Sequence, residues 1–285
     1  MDTTPSTAVE ADNAPVAQSE EWGDFFAFLV KFIIAVAIIR ILVFSTSNIP
    51  SESMQPRLLI GDYVVVNRWA YGWSRYSLPL GRGSLPEGRV WGAMPQRGDV
   101  VVFKAPPAND VDWIKRVIGL PGDRIQVIGG ILHINGTAVP RRQIADLVIP
   151  ASQNMIDASD GNPCFRPIFE QVRPDGGLNC RYPRFRETLP GGRQANVLDL
   201  ITGDADNTGV YEVPEGHLFL MGDNRDRSYD SRFPAVDGGG IGYVPVDNII
   251  GRASFVVMSV DGSARWSSPA SWFNAIRWSR LGYGF

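Results

Sequence analysis

The chain has 285 residues and a formal net charge of -3, with 30 Gly, 21 Pro, two His and two Cys. That length fills one large domain or two small ones. The near-balanced charge leaves no nucleic-acid footprint, and so much Gly and Pro excludes a helical bundle in favour of a turn-rich, mostly β protein. His133, His217, Cys164 and Cys180 are too few for a structural zinc site or an iron–sulfur cluster, so no metal or cofactor is expected.

Residues 1–24, rich in Thr, Ser, Ala, Pro and acids, lack the apolar periodicity that burial needs and are expected to be disordered. Residues 25–44 (FFAFLVKFIIAVAIIRILVF) form an apolar run of about 20 residues, enough to cross a bilayer as a helix. Lys31 and Arg40 interrupt it within reach of the headgroups by snorkelling. A buried core helix and a cleaved secretory signal peptide are the alternatives. The run is long and apolar on all sides for the first, and it lacks the basic leading segment of the second. The acidic flank (Glu20, Glu21, Asp24) does not favour a cytoplasmic N-terminus, although acids count for little in orientation.

Beyond the span, Tyr63–Val66 reads as a strand, and 74–96 as a Gly/Pro/Arg loop. Val100–Phe103 is a second strand, entered by the turn Arg97-Gly98-Asp99. Three further short strands follow Asp112, punctuated by Leu120-Pro121-Gly122-Asp123, Gly129-Gly130 and a strong two-residue hairpin signal at Asn135-Gly136. His133, alternating with Leu132 and Ile134, is expected to face solvent. Residues 141–209 lose this patterning and are expected to form an inserted, irregular subdomain. Strand patterning returns at Val210–Val213, His217–Met221 and Ile249–Ser259, where Gly251 suggests a bulge. The predicted architecture is an antiparallel, barrel-like β core (45–140 and 210–262), preceded by one transmembrane helix and followed by a tail (263–285). The tail mixes Trp266, Trp272, Phe273, Trp278, Tyr283 and Phe285 with Arg265, Arg277 and Arg280. It suits either a membrane interface or a short helix docked on the core.

Two polar stretches and one lysine in an apolar run stand out. Ile49–Leu58 (IPSESMQPRL) places Ser51 and Ser53 two residues apart just past the span. A serine hydroxyl needs a base to become a nucleophile, and with histidine so scarce a lysine is the alternative. A lysine serves only if burial destabilises its ammonium form. Lys115 has Trp113, Ile114, Val117 and Ile118 for neighbours, and in a strand Trp113 shares its face. It also reads as an ordinary edge-strand lysine. Gly222–Arg232 (GDNRDRSYDSR) directly follows an apolar strand. It is either a solvated loop or a hydrogen-bonded shelf in which Ser228 orients a neutral amine and Asp230 and Arg232 form an ion pair.

These stretches, with RGDVVVF (97–103), resemble the conserved boxes of bacterial type I signal peptidase, a membrane-anchored Ser–Lys endopeptidase. The serine box is matched by SESMQPRL and the lysine box by KRVIGLPGD (115–123). The last box is matched by GDNRDRSYDSR, and the resemblance runs from about Phe25 to Ser259. It implies Ser53 as nucleophile, Lys115 as general base, Ser228 as partner of the lysine amine, and the Ser53 backbone N–H with the Ser51 hydroxyl as oxyanion donors. It further implies that Ile49, Pro50, Met54 and Ile114 line shallow pockets for small residues before the cut, with Asp230 and Arg232 as structural support. Arg57 stands where the family usually has Thr, and Arg227 where it usually has Asn. Neither position is catalytic, so both bear on local packing.

The family works on the outer face of the bacterial cytoplasmic membrane. An oxidising compartment suits a Cys164–Cys180 disulfide, the alternative being two reduced thiols. Ser53 follows Phe44 by about nine residues, at most about 32 Å of extended chain, so the site is tethered near the bilayer. The expected partners are exported preproteins and the lipid bilayer, with no nucleic acid, and a monomer is expected because no heptad or other association signal stands out. A Ser–Lys peptidase for another exported substrate, such as a conjugation pilin, is the main alternative. A self-cleaving repressor would need a DNA-binding domain, and a dead scaffold would usually have lost Ser53 or Lys115.

Overall fold

In the computed structural model, residues 18–77, 87–159 and 161–285 are described. Residues 1–17 of the expected tail and 78–86 of the Gly/Pro/Arg loop lie outside them. The chain divides into two compact units, residues 1–40 and 41–285.

The first unit contains α1 (Gln18–Leu42), which starts earlier than the apolar run because 18–24 continue the helix. Trp22–Arg40, 19 residues, is long and apolar enough to cross a membrane, and its side chains are exposed on all sides. The longer helix puts Lys31 at the middle of that stretch rather than near an end. A central lysine costs an inserting helix about 2.5–3.5 kcal/mol, which the surrounding Phe, Ile, Leu and Val residues offset.

The second unit is mostly antiparallel β, as expected. In chain order its strands are β1 (Phe44–Asn48), β2 (Asp62–Asn67), β3 (Val100–Lys104), β4 (Asp112–Gly119), β5 (Arg124–Ile128), β6 (Ile131–Ile134), β7 (Thr137–Ala138) and β8 (Arg141–Pro150). A short helix, α2 (Gln153–Asp157), precedes β9 (Glu170–Val172), β10 (Leu178–Thr188), β11 (Gln194–Leu198), β12 (Tyr211–Glu212), β13 (His217–Met221), β14 (Val244–Pro245) and β15 (Ile249–Ser259); α3 (Pro269–Ala275) comes last. The main sheet has seven strands in the order β1-β2-β15-β3-β4-β13-β14 and curls into a half-barrel. Strands far apart in sequence meet in it, so β15 pairs with both β2 and β3. The bulge expected at Gly251 falls where the β15/β3 register shifts between Ile249 and Gly251. A smaller sheet, β12-β5-β6-β7, holds the Asn135-Gly136 hairpin, whose turn residues have φ of 54° and 79°. His133 there is half-buried, between the buried Leu132 and Ile134.

Two-residue alternation sorts the β3 side chains between two apolar clusters. Val100 and Val102 pack with Ile49, Met54, Leu58 and Ile114, whereas Val101 and Phe103 pack with Val117, Leu218 and Leu220. Val100–Phe103 is therefore apolar without a break, as a strand covered on both faces must be.

Residues 141–209 are more regular than the sequence suggests. β8, β9, β10 and β11 form a four-stranded antiparallel sheet. Its signal is faint because β8 is largely exposed and β10 alternates buried Cys180 and Tyr182 with exposed Arg181. Pro183 falls at the β10/β8 bulge, a tolerated place for proline in a sheet but one that reads as a loop in sequence. The sulfurs of Cys164 and Cys180 are 1.96 Å apart, beside Phe169, Tyr182 and Leu198. A bond there closes a loop over a sequence separation of 16, worth about 3 kcal/mol by chain entropy. Cys164→Ser/Cys180→Ser should lower the urea unfolding free energy by about that amount. Equal stability of the double variant and the non-reduced parent would show that no such bond forms.

Candidate active site

Ser53 lies in the loop between β1 and β2. The loop is closed by Ile49 N–H donating to the Asp62 carbonyl at 2.8 Å and by Leu58 N–H donating to the Met54 carbonyl at 2.9 Å. Met54 and Leu58 are fully buried in the cluster below, which anchors the loop and turns Ser53 toward β4. In the β3/β4 register Lys115 faces Val101 and Trp113 faces Phe103, so the lysine stem lies on an apolar face. Lys115 Nζ sits 2.8 Å from Ser53 Oγ and 5.0 Å from the centre of the Trp113 ring. Ser53 and Lys115 are 6% and 4% exposed. Burial pushes the Lys115 amine down to about 8, against the pull of Asp230 and Asp223, which favour its charged form. A neutral amine at that distance is able to accept the Oγ proton.

The Gly222–Arg232 stretch packs directly on this pair. Asn224 N–H donates to the Ser53 carbonyl at 3.1 Å, while Gly222 N–H donates to Asp230 Oδ2 at 3.0 Å. Asp230 and Arg232 form a buried ion pair at 2.9 Å, and Arg232 also donates to the Arg225 carbonyl at 2.5 Å. Burial works against the Asp230 carboxylate, but Arg232 outweighs it and holds the carboxyl below its usual range. Ser228 Oγ is buried without a hydrogen-bond partner, so the bond expected between it and the Lys115 amine is not formed here. It adds a weaker pull on Asp230 without meeting hydrogen-bond geometry.

Ser51 is exposed, with Oγ 3.4 Å from Ser53 Oγ, and the Ser53 backbone N–H donates to no group among the described residues. Ile49, Met54 and Ile114 are buried beneath the loop, whereas Pro50 is exposed. Pro50, Ser51 and Ser228 border a cleft of about 450 Å³, with Met155 and Ile201 of the 141–209 segment across it.

Several residues of the site escaped the sequence reading. Arg116 makes a bidentate pair with Asp223 at 2.7 and 2.6 Å, and Arg225 another with Glu187 of β10 at 2.8 and 2.5 Å. Burial disfavours both guanidinium charges, yet Asp223 and Glu187 outweigh it and raise both pKa values. An arginine beside Lys115 in an apolar strand demanded a buried acid, which was the available signal for Asp223. Glu187 carried no such signal, because its strand did not read as one. Arg227 pairs with Glu52 at 2.5 Å and lies 4.7 Å over the Phe165 ring.

The model of the family described as signal peptidase, peptidase S26, matches residues 22–258. Signal peptidase I of Rickettsia typhi (strain ATCC VR-144 / Wilmington) is 37% identical over 238 residues, covering 80% of this chain and 77% of its own. Signal peptidase I of Rickettsia conorii (strain ATCC VR-613 / Malish 7) is 35% identical over 257 residues, covering 87% and 82%. A solved signal peptidase I from Enterococcus faecalis V583 is 23% identical, covering 57% of this chain and 98% of its own, with a TM-score of 0.28, too weak a likeness to carry any inference. With the half-barrel of antiparallel strands, these matches define a serine peptidase. The chain belongs to the signal peptidase family, peptidase S26.

Gly222 is required by contact. A Cβ there would stand 2.3 Å from Ser228 Oγ and 2.6 Å from the Ser53 carbonyl oxygen. Gly222→Ala should therefore displace the Ser53 loop and cut the initial rate of peptide-bond cleavage by about tenfold or more. A rate within twofold of wild type would mean that the loop tolerates the shift.

Proposed function

We propose that this protein is a membrane-anchored serine endopeptidase that removes N-terminal signal peptides from exported preproteins with a Ser53–Lys115 dyad. The observation that carries this reading is the buried 2.8 Å approach of Lys115 Nζ to Ser53 Oγ. Ser53 Oγ attacks the scissile carbonyl as its proton passes to the neutral Lys115 amine. The resulting ammonium protonates the departing amine, leaving an acyl-enzyme on Ser53. Lys115, neutral again, takes a proton from the water that attacks the ester; as the Ser53 Oγ–acyl bond breaks, the ammonium returns that proton to Ser53 Oγ, and the signal peptide leaves with a new carboxylate.

The free Ser53 N–H and the Ser51 hydroxyl serve the developing oxyanion, a contribution of about 2.7–4 kcal/mol per donor in such sites. Ser228 Oγ, unpartnered in its buried position, orients the lysine amine during turnover. Pro50 meets the substrate at the cleft mouth. Ile49, Met54 and Ile114 set the shallow apolar floor that admits only small side chains before the cut, and Asp230 and Arg232 support the shelf.

The N-terminus lies inside and the catalytic unit outside the cytoplasmic membrane, which is supported by the two cysteines standing at bonding distance, as an oxidising compartment favours. In intact cells, a cysteine introduced at exposed Val236 (Val236→Cys) should react with a membrane-impermeant maleimide. Reaction only after permeabilisation would reverse the orientation.

Detergent-solubilised protein should cut a preprotein immediately after Ala-x-Ala, read by mass spectrometry, and Ser53→Ala and Lys115→Ala should each abolish the cut while keeping the fold. Because only the neutral amine acts as base, the rate should rise with pH through an acid limb near the Lys115 value of about 8. Appreciable turnover by either variant, or a limb at the free lysine value of about 10.4, defeats the mechanism.

A further inference from the structure

Residues 277–285 are packed against the far side of the Ser53 loop. Their course is set along β15: Arg277 N–H donates to the Ser259 carbonyl, Gly282 N–H to the Val256 carbonyl, and Val256 N–H to the Tyr283 carbonyl, at 2.9, 2.9 and 3.0 Å. From there two arginines reach the loop. Arg280 Nη2 donates to the Arg57 carbonyl at 2.9 Å and to Asp62 Oδ2 at 2.5 Å. Arg277 Nη2 donates to the Ile60 carbonyl at 2.5 Å. Asp62 is fully buried and also accepts from Leu59 N–H at 2.8 Å and from Ser259 Oγ at 2.7 Å. One carboxylate thus ties loop, strand and tail together.

The contact is reciprocal. Arg57 donates to the Gly284 carbonyl at 3.1 Å, and two guanidinium groups approach the Tyr283 ring, Arg57 at 5.4 Å and Arg280 at 5.1 Å. Phe285 packs on the cluster that holds Met54 and Leu58. The loop is consequently held at both ends, by Asn224 on the Ser53 carbonyl and by Arg280 on the Arg57 carbonyl. The two points are four residues apart, and the turn over them is closed by Leu58 N–H donating to the Met54 carbonyl.

We propose that Arg280, acting through the Arg57 carbonyl and Asp62, is a positioning residue that holds Ser53 Oγ in register with Lys115. The inference rests on Ser53 being the reacting serine. Arg280 touches neither substrate nor the reacting atoms. Its loss lets the rear of the loop relax, and a displacement of about 1 Å at the nucleophile is enough to cost on the order of a hundredfold in rate.

The test is single-turnover cleavage of an Ala-x-Ala preprotein by excess full-length protein in detergent, expressed per folded molecule and set beside the Tm. Arg280→Ala should slow the single-turnover step about 10- to 100-fold with little change in the enzyme concentration giving half-maximal rate. Arg280→Lys keeps a charge for Asp62 but cannot reach both acceptors at once. It should recover most of the Tm while the rate stays at least about threefold down. Trp266→Ala, in the same tail but 91% exposed, should match wild type in both readouts. An Arg280→Ala rate within twofold of wild type, with only the Tm lowered, overturns the proposal. If Arg280→Ala does not fold, Arg280→Lys decides, and full recovery of rate together with Tm overturns it. Ser53→Ala run in parallel separates the two readings: residual cleavage there defeats the dyad and the brace together, whereas a dead Ser53→Ala beside an unimpaired Arg280→Ala defeats the brace alone.

Discussion

A lysine amine buried against a serine hydroxyl is stable only when it gives up its proton readily, and the polar architecture around Lys115 follows from that requirement. Desolvation does the work, and Trp113 on the same strand face supplies much of the apolar cover. Two carboxylates, Asp223 and Asp230, lie close enough to restore the charged form. Each is matched by an arginine of its own, Arg116 and Arg232, in contacts of 2.6 and 2.9 Å. The acids are thereby neutralised locally, and the amine keeps a value of about 8 despite them. Removing either arginine would leave a buried, uncompensated carboxylate facing the lysine, so these pairs govern the charge state of Lys115 as well as packing.

The same pairs fix backbone. Asp230 accepts from Gly222 N–H, and Arg232 donates to the Arg225 carbonyl, so the stretch that looks like a solvated loop is bonded internally almost throughout. Within it, Asn224 N–H donates to the Ser53 carbonyl. Gly222 has no room for a side chain, because the serine loop and Ser228 converge on the same few cubic ångströms.

Much of this was legible in the sequence, for identifiable reasons. Scarce histidine and an aromatic on the same strand face made Lys115 a candidate base, but the segment alone read equally as an edge-strand lysine, and it was the resemblance of the four matched boxes that singled out Ser53 and Lys115. The half-barrel followed from two-residue alternation and turn residues. What stayed hidden depended on long-range pairing. Glu187 meets Arg225 across 38 positions, on a strand whose alternation is blurred by Arg181 and Pro183. The start of α1 was misplaced because acids and serine look like loop until a helix begins among them. Ser228 was placed in the right neighbourhood, but its bond to the amine depends on side-chain geometry that spacing does not specify.

The Arg225–Glu187 pair has an evolutionary consequence. Segments between conserved boxes are ordinarily where a family tolerates gain, loss and drift. Here β10 supplies the buried counter-charge for an arginine of the Gly222–Arg232 stretch, and Leu198 N–H of β11 bonds the Asp223 carbonyl at 2.9 Å. Lineages could therefore remodel the outer turns of 141–209 freely, but shedding the segment whole would strand Arg225 in the core. Its ancestry should thus track that of the Gly222–Arg232 stretch, and homologues lacking it should carry a different residue at the position of Arg225.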